Sequence, residues 1–180
     1  MEPNAADARY TRPARWFHWL IFAFVALAYL LINLRGIAAK GSAARALSLQ
    51  GHMLAGLIVL ALVLPRLLHR LHNVPPPVAP PLVTWEAGLS RLTHFLLYTF
   101  LVVQPLLGLL TVFSGGHGVI IPYTHVQIPS PMVANRALSE QLGNLHGWIG
   151  TIFYYVIGLH ILAASWHHFV RHDNTLQRMT

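Results

Sequence analysis

The sequence predicts an all-α integral membrane protein: a four-helix bundle with both termini in the cytoplasm. Of its 180 residues 55% are hydrophobic and only 9% are charged, and the mean hydropathy is +0.53. Soluble domains carry about 25% charged residues. The few charges fall between apolar runs long enough to cross a hydrocarbon core, which takes roughly 20 residues of helix. Cysteine is absent, which excludes disulfides, thiolate zinc sites, iron–sulfur clusters, a Cys nucleophile and covalent c-type haem attachment. The formal charge of +7 reads as the basic flanks of membrane spans, so no nucleic-acid partner is expected.

The chain, 1–180, is read as a single membrane domain. Met1–Arg15, with Pro3, Pro13, Arg9, Arg12 and Arg15, reads as a polar tail without a cleavable signal peptide. The first span covers 16–34, with Trp16 and Trp19 near its start, where indoles favour the membrane interface. A basic loop through Arg35, Lys40 and Arg45 leads to the second span, 47–65, which Arg66 follows. Pro75, Pro76, Pro77, Pro80 and Pro81 make 69–91 an extended strap. The third span is 92–113, with a kink expected at Pro105. Gly115, Gly116, Gly118, Pro122, Pro129 and Pro131 mark 114–141 as a long connection. The fourth span, 142–170, precedes a polar tail, 171–180. Cytoplasmic termini place Arg9, Arg12, Arg15, Arg66, Arg70, Arg91, Arg171 and Arg178 inside and leave only Arg35, Lys40, Arg45 and Arg136 outside. That asymmetry fits the positive-inside rule and a multi-pass protein of the cell inner membrane.

Ionisable groups inside a membrane span are functional by default. Between Glu140 and Arg171 no acid, Lys or Arg occurs, yet His146, His160, His167 and His168 do. His146 and His160 return to nearly the same helix face, about 21 Å apart along the axis, as two stacked metal centres require. Measured from the outer helix ends, His52 lies at about 10 Å and His146 at about 9 Å, matching depths on two helices. A haem iron held by two imidazoles needs such a pair, and two imidazoles leave no open position on the iron, which favours electron transfer. By the same ruler either His18 or His94 partners His160, and spacing does not choose. The other histidines have plain readings. His69 and His72 extend a cationic flank, His117 and His125 sit in a loop, and His167, His168 and His172 suit the C-terminal end of a helix dipole.

Several segments together resemble the bacterial cytochrome b561 family, whose members include superoxide oxidases. They are Arg15-Trp16-Phe17-His18-Trp19, Gln50-Gly51-His52, Leu145-His146-Gly147 and Gly158-Leu159-His160, then His167-His168-Phe169 and the tail from Asp173 to Met179. The likeness covers nearly the whole chain. It implies two haem b groups, with His52 and His146 on the outer iron and His18 and His160 on the inner one. It also implies oxidation of superoxide to dioxygen at the periplasmic face and reduction of ubiquinone. Arg35, Lys40, Arg45 and Arg136 would steer the anion towards the outer face. His167, His168 and His94 are the quinone candidates. The alternative is a haem-bearing electron-transfer subunit linking a dehydrogenase-type partner oxidoreductase subunit to the quinone pool. A small transporter using the histidines as proton relays is a third reading, which needs no haem.

Overall fold

The structure, a computed structural model, describes residues 9–121 and 126–180. The expectations attached to Pro3, Pro122 and His125 lie outside the described residues. Four helices carry the chain: α1 (Arg12–Ile37), α2 (Ala43–His72), α3 (Thr84–Ser114) and α4 (Arg136–Phe169), each long and apolar enough to cross a membrane. Three begin on a side chain that satisfies a free backbone N–H of the first turn. Thr11 accepts from Ala14, Ser42 from Arg45 at 3.2 Å and Asn135 from Leu138 at 3.1 Å. At the start of α3 the Glu86 carboxylate instead reaches back to the Val83 N–H, at 3.2 Å.

The helices run beyond their apolar stretches, which moves the expected boundaries of the second helix and the strap. The second helix passes through Pro65 and ends at His72, so Arg66 and His69 are helical and the proline strap shrinks to 73–83. Its last turn is basic, through His69, Arg70 and His72, which suits the negative end of the helix dipole. The third helix likewise carries Pro105 in its interior without ending. Between α3 and α4 a short antiparallel hairpin forms, β1 (Val119–Ile120) with β2 (Gln127–Ile128), Val119 facing Ile128.

The bundle is built as two helix pairs, α1 on α2 and α3 on α4, joined where α2 meets α3. Its apolar core is small: Ile21, Val59 and Val63 with Phe24, Leu60 and Tyr98 packed against them. The Phe100 and Phe153 rings stack at 4.1 Å between α3 and α4. No residue of α4 is buried, and Trp148 and Tyr155 are 74% and 77% exposed. In a bilayer such outward side chains meet acyl chains, so helix faces that look bare are solvated by lipid.

The C-terminal segment, read from the sequence only as a polar tail, is folded. It folds back across the end of the bundle that carries both termini, here the tail end, and closes with a 3-10 turn at Gln177–Met179. Asp173, Asn174 and Arg178 are buried. Asp173 meets His167 Nδ1 at 2.5 Å and accepts the Thr175 N–H at 2.9 Å. Asn174 pairs with the backbone of Ala79 through two hydrogen bonds, and Arg178 donates to the Pro76 carbonyl. Trp19 Nε1 donates to Met179 O at 2.9 Å, Arg15 donates to Thr180 O, and Arg171 is paired with Glu86. The segment thus ties α1, the strap, α3 and α4 together. Polar residues fold here because each finds a fixed partner, including strap carbonyls that prolines leave free of helix or sheet.

Burial alone pushes the Asp173 carboxyl up, but hydrogen bonds from Thr175 and His167 outweigh it and hold the group below the usual carboxylate range. A depressed carboxylate stabilises the folded state above its unfolded pKa, and that contribution is lost as pH falls through the folded value. We predict that Asp173→Asn costs about 1–3 kcal/mol at neutral pH, the range for a lost charge-assisted hydrogen bond. Thermal unfolding in detergent should show the wild type losing stability below about pH 4 more steeply than the variant. Parallel acid profiles would contradict this account of the tail.

Candidate functional site

Two cavities lie between the helices. One, of about 330 Å³, is at the hairpin end and is lined by His52 and His146 with Tyr29, Asn33, Gln104 and Tyr154. The other, of about 1070 Å³, opens towards the tail end and is lined by His18, His94 and His160 with Arg66 and His167. Val25, Phe100 and Leu101 line both cavities and form the partition between them.

In the hairpin-end cavity the His52 and His146 rings face each other across the bundle, centroids 6.0 Å apart. Two imidazoles on opposite sides of one metal, each with a bond of about 2 Å, put their centroids roughly that far apart. Each ring also has its second nitrogen occupied. His52 Nδ1 donates to Ala28 O at 2.8 Å, and His146 Nδ1 donates to Gln104 O at 3.0 Å. Such bonds fix the tautomer that leaves Nε2 free for a metal. Gln104 returns the contact, its side-chain N–H donating to His146 O at 2.7 Å. This reciprocal pair clamps α3 to α4 at the histidine. Gly108 makes the close approach possible, since a Cβ there would meet His146 Cε1 at 3.1 Å.

At the tail end His160 sits between two imidazoles, 6.4 Å from His18 and 5.6 Å from His94 by ring centroid. Both distances suit a shared metal, so the geometry admits either partner. His94 Nδ1 donates to Ser90 O at 2.6 Å, whereas His18 Nδ1 faces the Arg66 guanidinium at 3.4 Å. Among the described residues no group of three or more His, Asp or Glu is placed to share one metal ion. Imidazole pairs facing each other between helices at about this spacing have room for a planar macrocycle held by one ring on each side.

The remaining sequence-derived residues divide. His167 lines the tail-end cavity and is held by Asp173, while His168 is absent from the lining and packs its ring on Phe169 at 4.7 Å. His117 is exposed. Of the four cations the sequence assigns to the outer face, Arg136 pairs with Glu140 on an exposed helix turn at 2.7 Å. Arg45 donates to the carbonyls of Arg35 and Ala38, closing the end of α1. Of these four, Arg35 and Lys40 have the side chains least engaged by the fold. Sequence reasoning did not find Gln104, Gly108 or the inward aim of Arg66. A polar residue directly before Pro105 in an apolar run was the available signal for Gln104; Arg66 looked like a span-closing charge until α2 proved longer.

A family model described as prokaryotic cytochrome b561 matches residues 9–180. Cytochrome b561 homolog 1 of Escherichia coli (strain K12) is 31% identical over 172 residues, covering 95% of this chain and 96% of the relative. The probable superoxide oxidase CybB of Yersinia pestis is 32% identical over 167 residues, 90% of each chain. Cytochrome b561 homolog 2 of E. coli (strain K12) is 25% identical over 128 residues, 71% of this chain and 68% of the relative. The family model's match spans both cavities and all four helices. The chain therefore belongs to the prokaryotic cytochrome b561 family, multi-pass proteins of the bacterial inner membrane that bind haem b and carry electrons.

Proposed function

We propose that this chain is a superoxide:ubiquinone oxidoreductase that holds two haem b groups, one in each cavity, with both termini in the cytoplasm. The observation that carries the reading is the arrangement of two facing imidazole sets, His52 with His146 and His160 with His18, in cavities that share Val25, Phe100 and Leu101 in their linings. The likeness to a relative named a probable superoxide oxidase supports the substrate. His52 and His146 would hold the outer haem. His18 and His160 would hold the inner one, as the segment around Trp16–Trp19 implies by its family resemblance. Bound haem supplies reversible one-electron carriage across the bilayer.

The protein's own residues supply position and charge. Arg35 and Lys40 raise the local concentration of a small anion at the periplasmic mouth. Gln104 and the Ala28 carbonyl hold the outer imidazoles in the tautomer with Nε2 free. Two superoxide anions give up one electron each and leave as two molecules of dioxygen. Ubiquinone takes those two electrons and two protons and becomes ubiquinol. His167, oriented by Asp173, and His94 place ionisable imidazoles in the same tail-end cavity, where a quinone oxygen takes up its protons from the cytoplasmic side.

Purified protein given superoxide and ubiquinone should form ubiquinol in a ratio of one to two superoxide consumed, with no other protein present. Absence of ubiquinol, with haem bound and active superoxide supplied, would leave the chain as a conduit for a partner dehydrogenase. The ligand assignment has its own test in haem counting. His18→Ala should lose one of two haems while His94→Ala keeps both; the opposite pattern would transfer the inner iron to His94.

A further inference from the structure

Arg66 is a half-buried cation for which the described residues provide no anion. It projects from α2 into the tail-end cavity, where its Nε donates to the Tyr98 hydroxyl at 3.3 Å and its guanidinium lies 5.7 Å from the Tyr98 ring centroid. A second guanidinium nitrogen faces His18 Nδ1 at 3.4 Å, and the third is buried without a hydrogen-bond partner. The one carboxylate in the cavity lining, Glu86, is already paired with Arg171. Taking a guanidinium out of water costs several kcal/mol unless an anion and hydrogen bonds replace the water. The surrounding groups return little of that: a hydroxyl, an aromatic face and an imidazole are all neutral. The position is also costly to keep by chance, since an apolar residue would fill the same space without the penalty.

We propose that Arg66 is the counter-cation for a propionate carboxylate of the haem in the tail-end cavity. This rests on the assignment of a haem to His160 and its partner. Haem b brings two carboxylates into a cavity whose described lining carries Arg9, Arg66, Arg70 and Arg178 against the engaged Glu86. Arg178 already donates to the Pro76 carbonyl, and Arg70 lies over the Tyr10 ring at 5.9 Å. Arg66 is the one whose guanidinium meets an imidazole of the facing set, His18 Nδ1 at 3.4 Å. A planar guanidinium offers a carboxylate two parallel N–H donors, and Arg66 holds one buried donor with nothing to bind. The charge has a redox consequence. A cation close to the macrocycle favours the reduced iron, which carries one positive charge less, so Arg66 raises the potential of the inner haem relative to a neutral residue.

The test uses the full chain purified with both haems, in quinone-free detergent, with haem counted and both midpoint potentials measured by spectroelectrochemical titration. Arg66→Gln should move one potential to a more negative value, or release that haem, and leave the other unchanged. The affected haem should be the one lost in His160→Ala. Arg66→Lys keeps the charge without the bidentate fork and should restore the haem and most of the potential. If the Gln and Lys variants behave alike, whether both match the wild type or both lose the same haem, charge pairing by Arg66 is overturned. A wild type carrying no haem that depends on His160 would instead overturn the underlying assignment before Arg66 is considered.

Discussion

An imidazole placed in a hydrocarbon slab has two nitrogens to satisfy and no water to satisfy them with. That constraint organises this bundle. His52 and His146 each spend one nitrogen on a backbone carbonyl of a neighbouring helix, Ala28 on α1 and Gln104 on α3. A helical carbonyl can accept a second bond because it has two lone pairs, so the helices remain intact. The other nitrogen is then turned inward, towards the facing ring 6.0 Å away. Helix pairing, tautomer and the mutual placement of the two rings are consequences of the same few hydrogen bonds.

The cost of the design is a hollow centre. A bundle packed for stability alone would fill the space between its pairs, whereas here the buried apolar cluster among the described residues is small, built on Ile21, Val59 and Val63. Two kinds of contact compensate. Across the bundle, Tyr29 donates to Gly150 O at 2.8 Å and Asn33 to the Tyr154 hydroxyl at 2.6 Å, linking α1 to α4 where direct packing is sparse. At the tail end the folded C-terminal segment ties α1, the strap, α3 and α4 into one unit around Asp173. Bound haem would add the remaining contacts by filling the cavities, so cofactor binding and folding are coupled.

Much of this was legible in the sequence, because helical periodicity and rise turn residue numbers into depth. The pairing of His52 with His146 follows from that ruler alone, and so does the common face of His146 and His160. What the ruler misses is set by tertiary partners. Pro65 looks like a helix end, yet α2 passes through it and turns Arg66 inward. The tail reads as polar chain, but Asp173 and Asn174 are buried because His167, Thr175 and Ala79 complete their hydrogen bonds. Arg45 and Arg136 read as free outer charges, yet one closes a helix end and the other has a partner in Glu140. Which imidazole faces His160 depends on side-chain reach at one level of the bundle, and His18 and His94 both arrive there.

The central claim is that one chain holds two haem irons, each between a pair of helices. It is tested most directly by a reduced-minus-oxidised visible spectrum combined with haem and protein quantification on the same sample. The account predicts two b-type haems per polypeptide in the wild type and one in His146→Ala, the survivor being the tail-end haem on His160. One haem per wild-type chain, or two retained without His146, would contradict it.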